Sequence, residues 1–493
     1  MTFARSSSIG TALRRDAVVA EIANADCPTV ELSTVPVLSD ENLVIGLIDI
    51  DLIEQQYAEL VHAFANGRRE TRSLHAIACK AVPLRPILRL YAQLGAGCEV
   101  ASEGELELAV ATGFPPENIV FDSPAKTQSQ LRRALALGVV INIDNFAELT
   151  RIDALRAELG DTDRASTFGM RVNPQTGAGT IEALSTASPN AKFGVGLADE
   201  GAREAIIAAF LERPWLTQLH VHSGSQGVAL LHAARGIRAV VDLALEINRL
   251  TERIGRGQQV SRIDIGGGLP VNFEGEDAVP TFAEYRAVLE HVVPELFEFD
   301  IVTEFGRALA AKAGTVLTRV EYAKAMGERR VAITHAGVQV ATRTAYAPED
   351  WPLRILAYDA SGQPIVSRAL VSHDVAGPAC FSGDLLASDR ELPELHSGDL
   401  IAIPDTGAYY FSSPYSYNLL PRIPIYGYRD GRIQESESSH PGRSESAFDY
   451  LVVHKGETVA DVINNVGPRE LEPYVNWGTP DVRVPMVADG KGR

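Results

Sequence analysis

The sequence contains few of the features that mark secreted, redox-active or nucleic-acid-binding proteins. It has four cysteines in 493 residues, and no two form a C-x-x-C pair, so zinc and dithiol motifs have no support. Basic residues are scarce, since 45 Lys and Arg against 64 Asp and Glu give a net charge of −19. A chain this acidic lacks the basic surplus that neutralises phosphates, so we expect no nucleic-acid partner.

Long apolar runs are also missing. No uncharged apolar stretch approaches the roughly 18 residues that a membrane-spanning helix needs. Residues 1–19 lack the sustained apolar segment of a signal peptide. Because the few cysteines are scattered as well, the sequence predicts a cytoplasmic protein with no membrane partner.

Short apolar runs alternate with amphipathic segments between about residues 45 and 315. Eight runs read as strands, at 75–79, 98–101, 119–121, 140–143, 168–172, 218–222, 262–265 and 301–304. One intervening segment begins with Ser102 and Glu105, a capping-box pattern that predicts a helix start. Strands that alternate with helices pair in parallel, and eight such units close naturally into a barrel.

The pattern changes after about residue 316, where strand-like runs are separated by Gly, Pro and Asp. We predict an α/β plus all-β architecture. Residues 45–315 form a (β/α)8 TIM-like barrel, and residues 316–493 form a C-terminal β-sandwich or β-barrel domain. Residues 1–44 pack with this β domain and contribute N-terminal strands, with 27–38 as a strand region. Residues 430–448 are polar and read as a loop.

The carboxyl ends of the predicted strands carry the residues of chemical interest, because active sites of such barrels lie there. These positions hold Lys80, Arg171 with Asn173, His222 with Ser225, Gly266 to Gly268, and Glu304 with Arg307. Singly, each has an ordinary explanation: an exposed lysine, a core histidine, a flexible turn, an ion pair. Together, glycines that let backbone N–H groups approach an anion, a lysine and a stacking histidine indicate bound pyridoxal 5'-phosphate (PLP).

Seven segments support this interpretation in a fixed order. They read ACKAV, LGAGCEVASEGELELAVATGF, LHVHSGSQ, IDIGGGLP, EFGR, GPACFSGD and GAYYFSSPYSYN. The order resembles that of the fold-type III, alanine-racemase-like PLP enzymes, in the branch of diaminopimelate, ornithine and arginine decarboxylases. The resemblance covers roughly residues 45–425. It implies a PLP-binding barrel, an amino-acid substrate and a homodimer with shared active sites, and it implies no metal site.

The resemblance also implies roles for single residues. Lys80 would hold PLP as a Schiff base, and His222 would stack on the ring. The remaining cofactor contacts would come from Ser225, Gly266, Gly267, Gly268, Glu304, Gly306, Arg307 and Tyr409. The substrate contacts would come from Arg307, Arg343, Tyr346, Phe381 and Asp384, with altered spacing between Arg343 and Tyr346. Cys380 would reach the site from the second subunit and help protonate the product.

Glu304 separates two chemistries. A carboxylate against the pyridine nitrogen favours its protonated form, which stabilises the carbanion left when carbon dioxide departs. Racemases of this type resemble the rest of the pattern but carry arginine there. Glu304 therefore favours decarboxylation. An amino-acid racemase or epimerase, and a non-catalytic PLP-binding regulatory homologue, are the alternatives.

Phe381 is the departure with the largest consequence. Diaminopimelate decarboxylases resemble this stretch but have glutamate after the cysteine, where it binds the distal ammonium. Phe381 accepts no hydrogen bond, and a buried unpaired ammonium is costly. We therefore expect a non-standard substrate with an apolar, aromatic or acylated distal group. The apolar surroundings of Lys80 also predict a lowered pKa for its amine.

Overall fold

The computed structural model describes residues 4–25, 35–65, 72–160, 166–177, 179–181, 185–431 and 446–467. The chain begins with helix α1 (Ala4–Ala23), strand β1 (Val44–Asp49) and helix α2 (Ile50–Phe64). Most of the predicted strand region at 27–38 lies outside the described residues, and its residues 35–38 form no strand. Most of the predicted loop at 430–448 also lies outside them.

A closed barrel of eight parallel strands follows. Its strands are β2 (Ser73–Ala78), β3 (Gly97–Val100), β4 (Ile119–Phe121), β5 (Val140–Ile143), β6 (Phe168–Asn173) with the two-residue β7 (Val195–Gly196) beside it, β8 (Leu216–His220), β9 (Arg262–Asp264) and β10 (Asp300–Thr303). They pair in the order β5-β4-β3-β2-β10-β9-β8-β6, and pairing of β5 with β6 closes the circle. All eight predicted strands overlap these strands, and the predicted (β/α)8 barrel is confirmed.

Helices surround the barrel. They are α3 (Arg85–Gln93), α4 (Glu103–Thr112), α5 (Gln128–Leu137), α6 (Phe146–Leu159), α7 (Ala202–Glu212), α8 (Leu230–Arg253), α9 (Phe282–Val292) and the short α10 (Arg307–Ala310). Of these, α4, α5, α6 and α9 begin at side-chain caps. Ser102 accepts a hydrogen bond from the Glu105 N–H at 3.2 Å, and Gly113 ends α4 at a φ of 94°. Among the described helices, none is long and apolar enough to span a membrane.

A second, mixed sheet forms the β domain. Its strands are β11 (Gly314–Met326), β12 (Arg329–Thr334), β13 (Leu356–Tyr358), β14 (Leu370–Ala376), β15 (Leu385–Pro393), β16 (Leu400–Pro404), β17 (Ile425–Asp430) and β18 (Phe448–His454), with helices α11 (Val338–Tyr346) and α12 (Val459–Asn465). Strand β1 pairs with both β11 and β17, so the C-terminal sheet includes an N-terminal strand, as the predicted fold class has it. This strand occupies residues 44–49 and not the predicted strand region at 27–38. The division of the chain at residues 44 and 315 stays a prediction.

An ionic network joins the N-terminal helix, the barrel and the β domain. Arg15 of α1 contacts Glu276 of a barrel loop at 2.7 Å, and Arg354 of the β domain contacts the same carboxylate at 2.5 Å. Arg354 also pairs with the buried Asp405, which Lys312 contacts at 3.1 Å. Although burial acts to raise it, the bonds from Arg15 and Arg354 lower the pKa of Glu276 to about 2.

We expect Glu276→Gln to lower the free energy of unfolding by about 2 to 3 kcal/mol at neutral pH, since the arginines lose their shared carboxylate. Because the pKa of Glu276 is lower in the native state than in the unfolded state, its ionised form stabilises the fold at pH values above the unfolded-state pKa of about 4.3. This stabilisation is lost as the pH falls towards 2. Urea unfolding of both proteins at several pH values checks this, with Glu274→Gln on the same loop as control. A difference that stays constant in acid would contradict it.

Candidate active site

A cavity of about 290 Å³ opens at the carboxyl ends of the barrel strands, beside the β domain. Its wall is formed by Ala78, Lys80, Glu99, Ala101, Asp122, Pro124, Arg171, Thr186, Phe193, His222, Ser225, Gly268, Leu269, Glu304, Gly306, Arg307, Arg343 and Tyr409. Most of the residues predicted to bind cofactor or substrate therefore surround one space. The barrel contributes its strand ends, and the β domain contributes Arg343 and Tyr409.

Lys80 lies in a single helical turn, Cys79–Ala81, that directly follows β2. Its amine forms an ion pair with Glu99, a buried carboxylate on the neighbouring strand β3. Burial acts to lower the pKa of Lys80, but the charge of Glu99 outweighs it and raises that pKa above the ordinary lysine value. The prediction of a lowered pKa is therefore wrong, because it overlooked the carboxylate one strand away.

The triple glycine lies where side chains would not fit. A Cβ on Gly266 would lie 2.6 Å from His222 Nδ1, and one on Gly267 would lie 2.3 Å from the Glu304 carbonyl oxygen. Gly268 has a φ of 99°, in the left-handed region that favours glycine. The Gly267 N–H donates to His222 Nδ1 at 3.1 Å. Burial, together with nearby cations, lowers the pKa of His222, so its ring is neutral.

Arg307 and Arg343 form an anion-binding side of the cavity. The guanidinium carbon of each lies over the rings of Trp351 and Tyr409, with distances of 4.6 to 5.0 Å to the ring centroids. Within the described residues, Arg307 Nε and Nη1 and Arg343 Nη1 are buried and have no hydrogen-bond partner. Burial lowers the pKa of Arg307 to about 10, with the charge of Arg343 adding to the effect. Two adjacent cations with free donors fit a phosphate or carboxylate group.

Glu304 lies beneath the cavity opening at the end of β10 and is 5% exposed. Its Oε2 lies 3.6 Å from His220 Nε2, and its Oε1 is buried without a hydrogen-bond partner among the described residues. An unpaired buried carboxylate oxygen is costly, and a protonated pyridine nitrogen is a group that would satisfy it.

The predicted residues of the GPACFSGD segment do not line the cavity of their own chain, as far as the described residues show. Cys380 is exposed, and Phe381 stacks on Tyr346 with ring centroids 5.7 Å apart. Asp384 is buried, and its oxygens accept backbone hydrogen bonds from Val338 and Ala379, both at 2.6 Å. The substrate roles of Phe381, Tyr346 and Asp384 stay predictions.

Several cavity residues were missed at the sequence level. They are Glu99, Asp122, Thr186, Phe193 and, beneath the cavity, His220. Glu99 and Asp122 lie at the carboxyl ends of β3 and β4, and His220 ends β8. The same strand-end rule that identified Lys80 and Glu304 would have found these three.

Comparison with known proteins agrees with this geometry. A profile of the pyridoxal-dependent decarboxylases, covering their pyridoxal binding domain, matches residues 50–311. The chain belongs to this decarboxylase family. It is therefore a PLP-dependent amino-acid carboxy-lyase. This membership favours a decarboxylase over a racemase and over a non-catalytic PLP-binding protein.

The similar proteins include several diaminopimelate decarboxylases. Those of Pseudomonas aeruginosa and Pseudomonas fluorescens are both 34% identical to the chain, over 295 and 326 residues. These matches cover 59% and 63% of this chain and 67% and 73% of the relatives. The crystal structure of the Helicobacter pylori enzyme complexed with L-lysine superposes with a TM-score of 0.70 at 26% identity, over 86% of this chain and 96% of that one.

The residues of the decarboxylase fit PLP. Lys80 provides the amine, the two arginines with free donors fit the phosphate, and the unpaired Glu304 oxygen fits the ring nitrogen. When bound, PLP supplies an electron sink for the bond broken at the substrate Cα. The glycine turn leaves room beside His222, whose neutral ring can lie against an aromatic face.

We expect Gly267→Ala to weaken PLP binding by about tenfold or more, because its Cβ would displace the backbone at Glu304. Gly275→Ala is the matched control, since a Cβ there meets only the Asn272 side chain at 3.5 Å. Titration of the apo-protein with PLP, followed by absorbance, gives both dissociation constants. Equal affinity of the two variants would count against the glycine turn as part of the cofactor site.

Proposed function

We propose that the decarboxylase acts on an α-amino acid whose distal end is apolar, aromatic or acylated, rather than on meso-diaminopimelate. We further propose that it works as a homodimer in which Cys380, Phe381 and Asp384 of one chain complete the site of the other. The relatives named above favour meso-diaminopimelate as substrate. The surroundings of Phe381 favour a substrate with an apolar, aromatic or acylated distal end, and the proposal is based on them.

Phe381 belongs to a cluster of four aromatic rings that we call the aromatic quartet: Tyr346, Phe381, Tyr415 and Tyr417. Phe381 stacks on Tyr346 and meets Tyr417 edge-on at 5.5 Å between ring centroids. Tyr415 stacks on Tyr417 and meets Tyr346 edge-on. The hydroxyls of Tyr346 and Tyr415 share a hydrogen bond at 3.1 Å, and that of Tyr417 donates to the Cys380 carbonyl oxygen at 3.5 Å. The quartet therefore offers a ligand mainly ring faces, which suit an apolar or aromatic group.

A distal ammonium would find little compensation at the quartet. Asp384 is the nearby acid, but its two oxygens already accept the Val338 and Ala379 N–H groups. Burial also raises the pKa of Asp384. An ammonium taken out of water needs a charged or hydrogen-bonding partner, so meso-diaminopimelate would bind poorly here.

The quartet is open to solvent on a single chain, which supports the homodimer. Tyr346 is 58% exposed and Tyr417 is 36% exposed. Exposed, stacked aromatic rings are more frequent in interaction surfaces than in the rest of a protein surface. Cys380, the predicted proton donor, lies beside Phe381 and is exposed as a free thiol.

The chain's own residues would divide the work as follows. Arg307 and Arg343 bind anionic groups through their free donors. Glu304 would hold a proton on the cofactor's ring nitrogen, and Lys80, whose amine Glu99 keeps near the cavity, would hold the cofactor covalently. The bond between the substrate Cα and its carboxylate carbon breaks, carbon dioxide leaves, and the bonding electron pair stays with the Cα fragment. The Cys380 thiol or a water then returns one proton to Cα.

The substrate proposal is tested by measuring carbon dioxide release from L- and D-amino acids with apolar, aromatic, N-acylated and amino-bearing distal groups. We expect turnover in the first three classes and little with meso-diaminopimelate. Phe381→Glu should raise kcat/KM for meso-diaminopimelate at least about tenfold, whereas the neutral control Phe381→Gln should not. Wild-type turnover of meso-diaminopimelate equal to the best apolar substrate would overturn the proposal.

The shared site is tested by mixing two impaired variants, Lys80→Ala and Cys380→Ala. In a mixed dimer one site receives both changes and the other receives neither, so activity should return to roughly a quarter of the wild-type level. Separately purified variants, unmixed, are the control. If the mixture stays as inactive as its components while the subunits exchange, both residues act within one chain.

A further inference from the structure

His220 lies directly beneath the cavity, at the end of β8, with no exposed surface. Its Nδ1 is 3.3 Å from Asp122 Oδ1, and its Nε2 is 3.6 Å from Glu304 Oε2. Each ring nitrogen therefore faces a carboxylate oxygen. A neutral imidazole has one N–H donor, so it can serve only one of these acceptors, whereas an imidazolium can serve both.

The surrounding charges determine which form is present. Arg171 binds Asp122 at 3.0 Å, and although burial acts to raise it, this arginine and His220 lower the pKa of Asp122. Asp122 is therefore an anion. Burial acts to lower the pKa of His220, but the facing carboxylates, Asp122 foremost, raise it well above the ordinary value. Burial is the effect that opposes protonation of His220, and Arg171, bound to the same Asp122, is a cation close by.

Asp264 is the third acid that faces His220, from β9. It accepts hydrogen bonds from the Asn142 amide and the Gly266 N–H, both at 3.0 Å. Burial and the nearby charge of Glu304 raise the pKa of Asp264 well above its usual range. The charge of Asp264 also raises the pKa of His220, but Asp122 and Glu304 are the acids whose oxygens face the two ring nitrogens.

We propose that His220 is a positioning residue for decarboxylation: held as an imidazolium by Asp122, it fixes the orientation of Glu304 at the cofactor ring. The imidazolium lies 3.6 Å from Glu304 Oε2, and its positive charge attracts that carboxylate. Glu304 can then hold the proton on the ring nitrogen, the role assigned to it under the proposed function, on which this inference rests.

The inference is tested first on the apo-protein, without catalysis. Nitrogen NMR of isotope-labelled histidines reports whether each ring nitrogen carries a proton, and the His220→Gln variant identifies the His220 signals. We expect both His220 nitrogens to stay protonated from about pH 6 to about pH 9, and Asp122→Asn to bring deprotonation into that range. A neutral His220 ring in the wild-type protein at neutral pH would overturn the proposal.

The second readout uses the PLP-loaded enzyme. His220→Gln and Asp122→Asn should each lower kcat by about 10- to 100-fold, the range typical of outer-shell partners, with KM within about threefold. The control is His75→Gln, which removes another buried barrel histidine, one that hydrogen-bonds Thr303 at 2.9 Å and that burial keeps neutral with a pKa of about 4. It should leave kcat unchanged. Wild-type kcat in both test variants would overturn the proposal.

The two readouts separate this inference from the substrate proposal. If the wild-type enzyme releases carbon dioxide only from meso-diaminopimelate, the substrate class is wrong, but kcat on that substrate still tests His220. If His220→Gln does not fold, Asp122→Asn provides the same two measurements, because it removes the anion and leaves the histidine in place.

Discussion

Closure of the barrel by pairing of β5 with β6 is the constraint on which the rest of the structure depends. In a closed parallel barrel every strand delivers its carboxyl end to the same face. Residues far apart in the chain, such as Lys80, Arg171 and Glu304, are therefore forced into one small space. Placing that many ionisable groups together out of water is costly, so the arrangement is stable only if the charges are paired or await a ligand.

The charges at the barrel opening divide into two sets. On the barrel side they are paired: Lys80 with Glu99, and Arg171 with Asp122. Towards the β domain, Arg307 and Arg343 share aromatic neighbours but keep buried N–H groups without acceptors. The paired set fixes where the amine and the acidic groups lie. The unpaired arginines attract anions, so this side of the cavity could bind the cofactor phosphate or a substrate carboxylate.

Much of this was accessible from sequence, and the exceptions have physical causes. The eight barrel strands could be predicted because buried parallel strands appear in a sequence as short apolar runs. Lys80, His222 and Glu304 could be predicted as site residues because they lie at the ends of such runs. The pKa of Lys80 was predicted in the wrong direction, since its partner Glu99 belongs to a neighbouring strand and pairing is a property of the folded barrel. The contact of Arg15 with Glu276 was missed for the same reason. The aromatic quartet joins Tyr346 to residues more than thirty positions away, which no local pattern reveals.

The central claim is that Lys80 is the residue that carries the cofactor at the end of β2. Borohydride reduction of the PLP-loaded enzyme, followed by peptide mass spectrometry, tests it directly because reduction makes the link between lysine and cofactor permanent. The structure predicts a pyridoxyl group on Lys80 alone, because among the described residues it is the lysine that lines the cavity. The buried lysines, Lys126 and Lys312, are held by Glu148 and Asp405 away from the cavity. A pyridoxyl group on either of those lysines, or on none, would contradict the account.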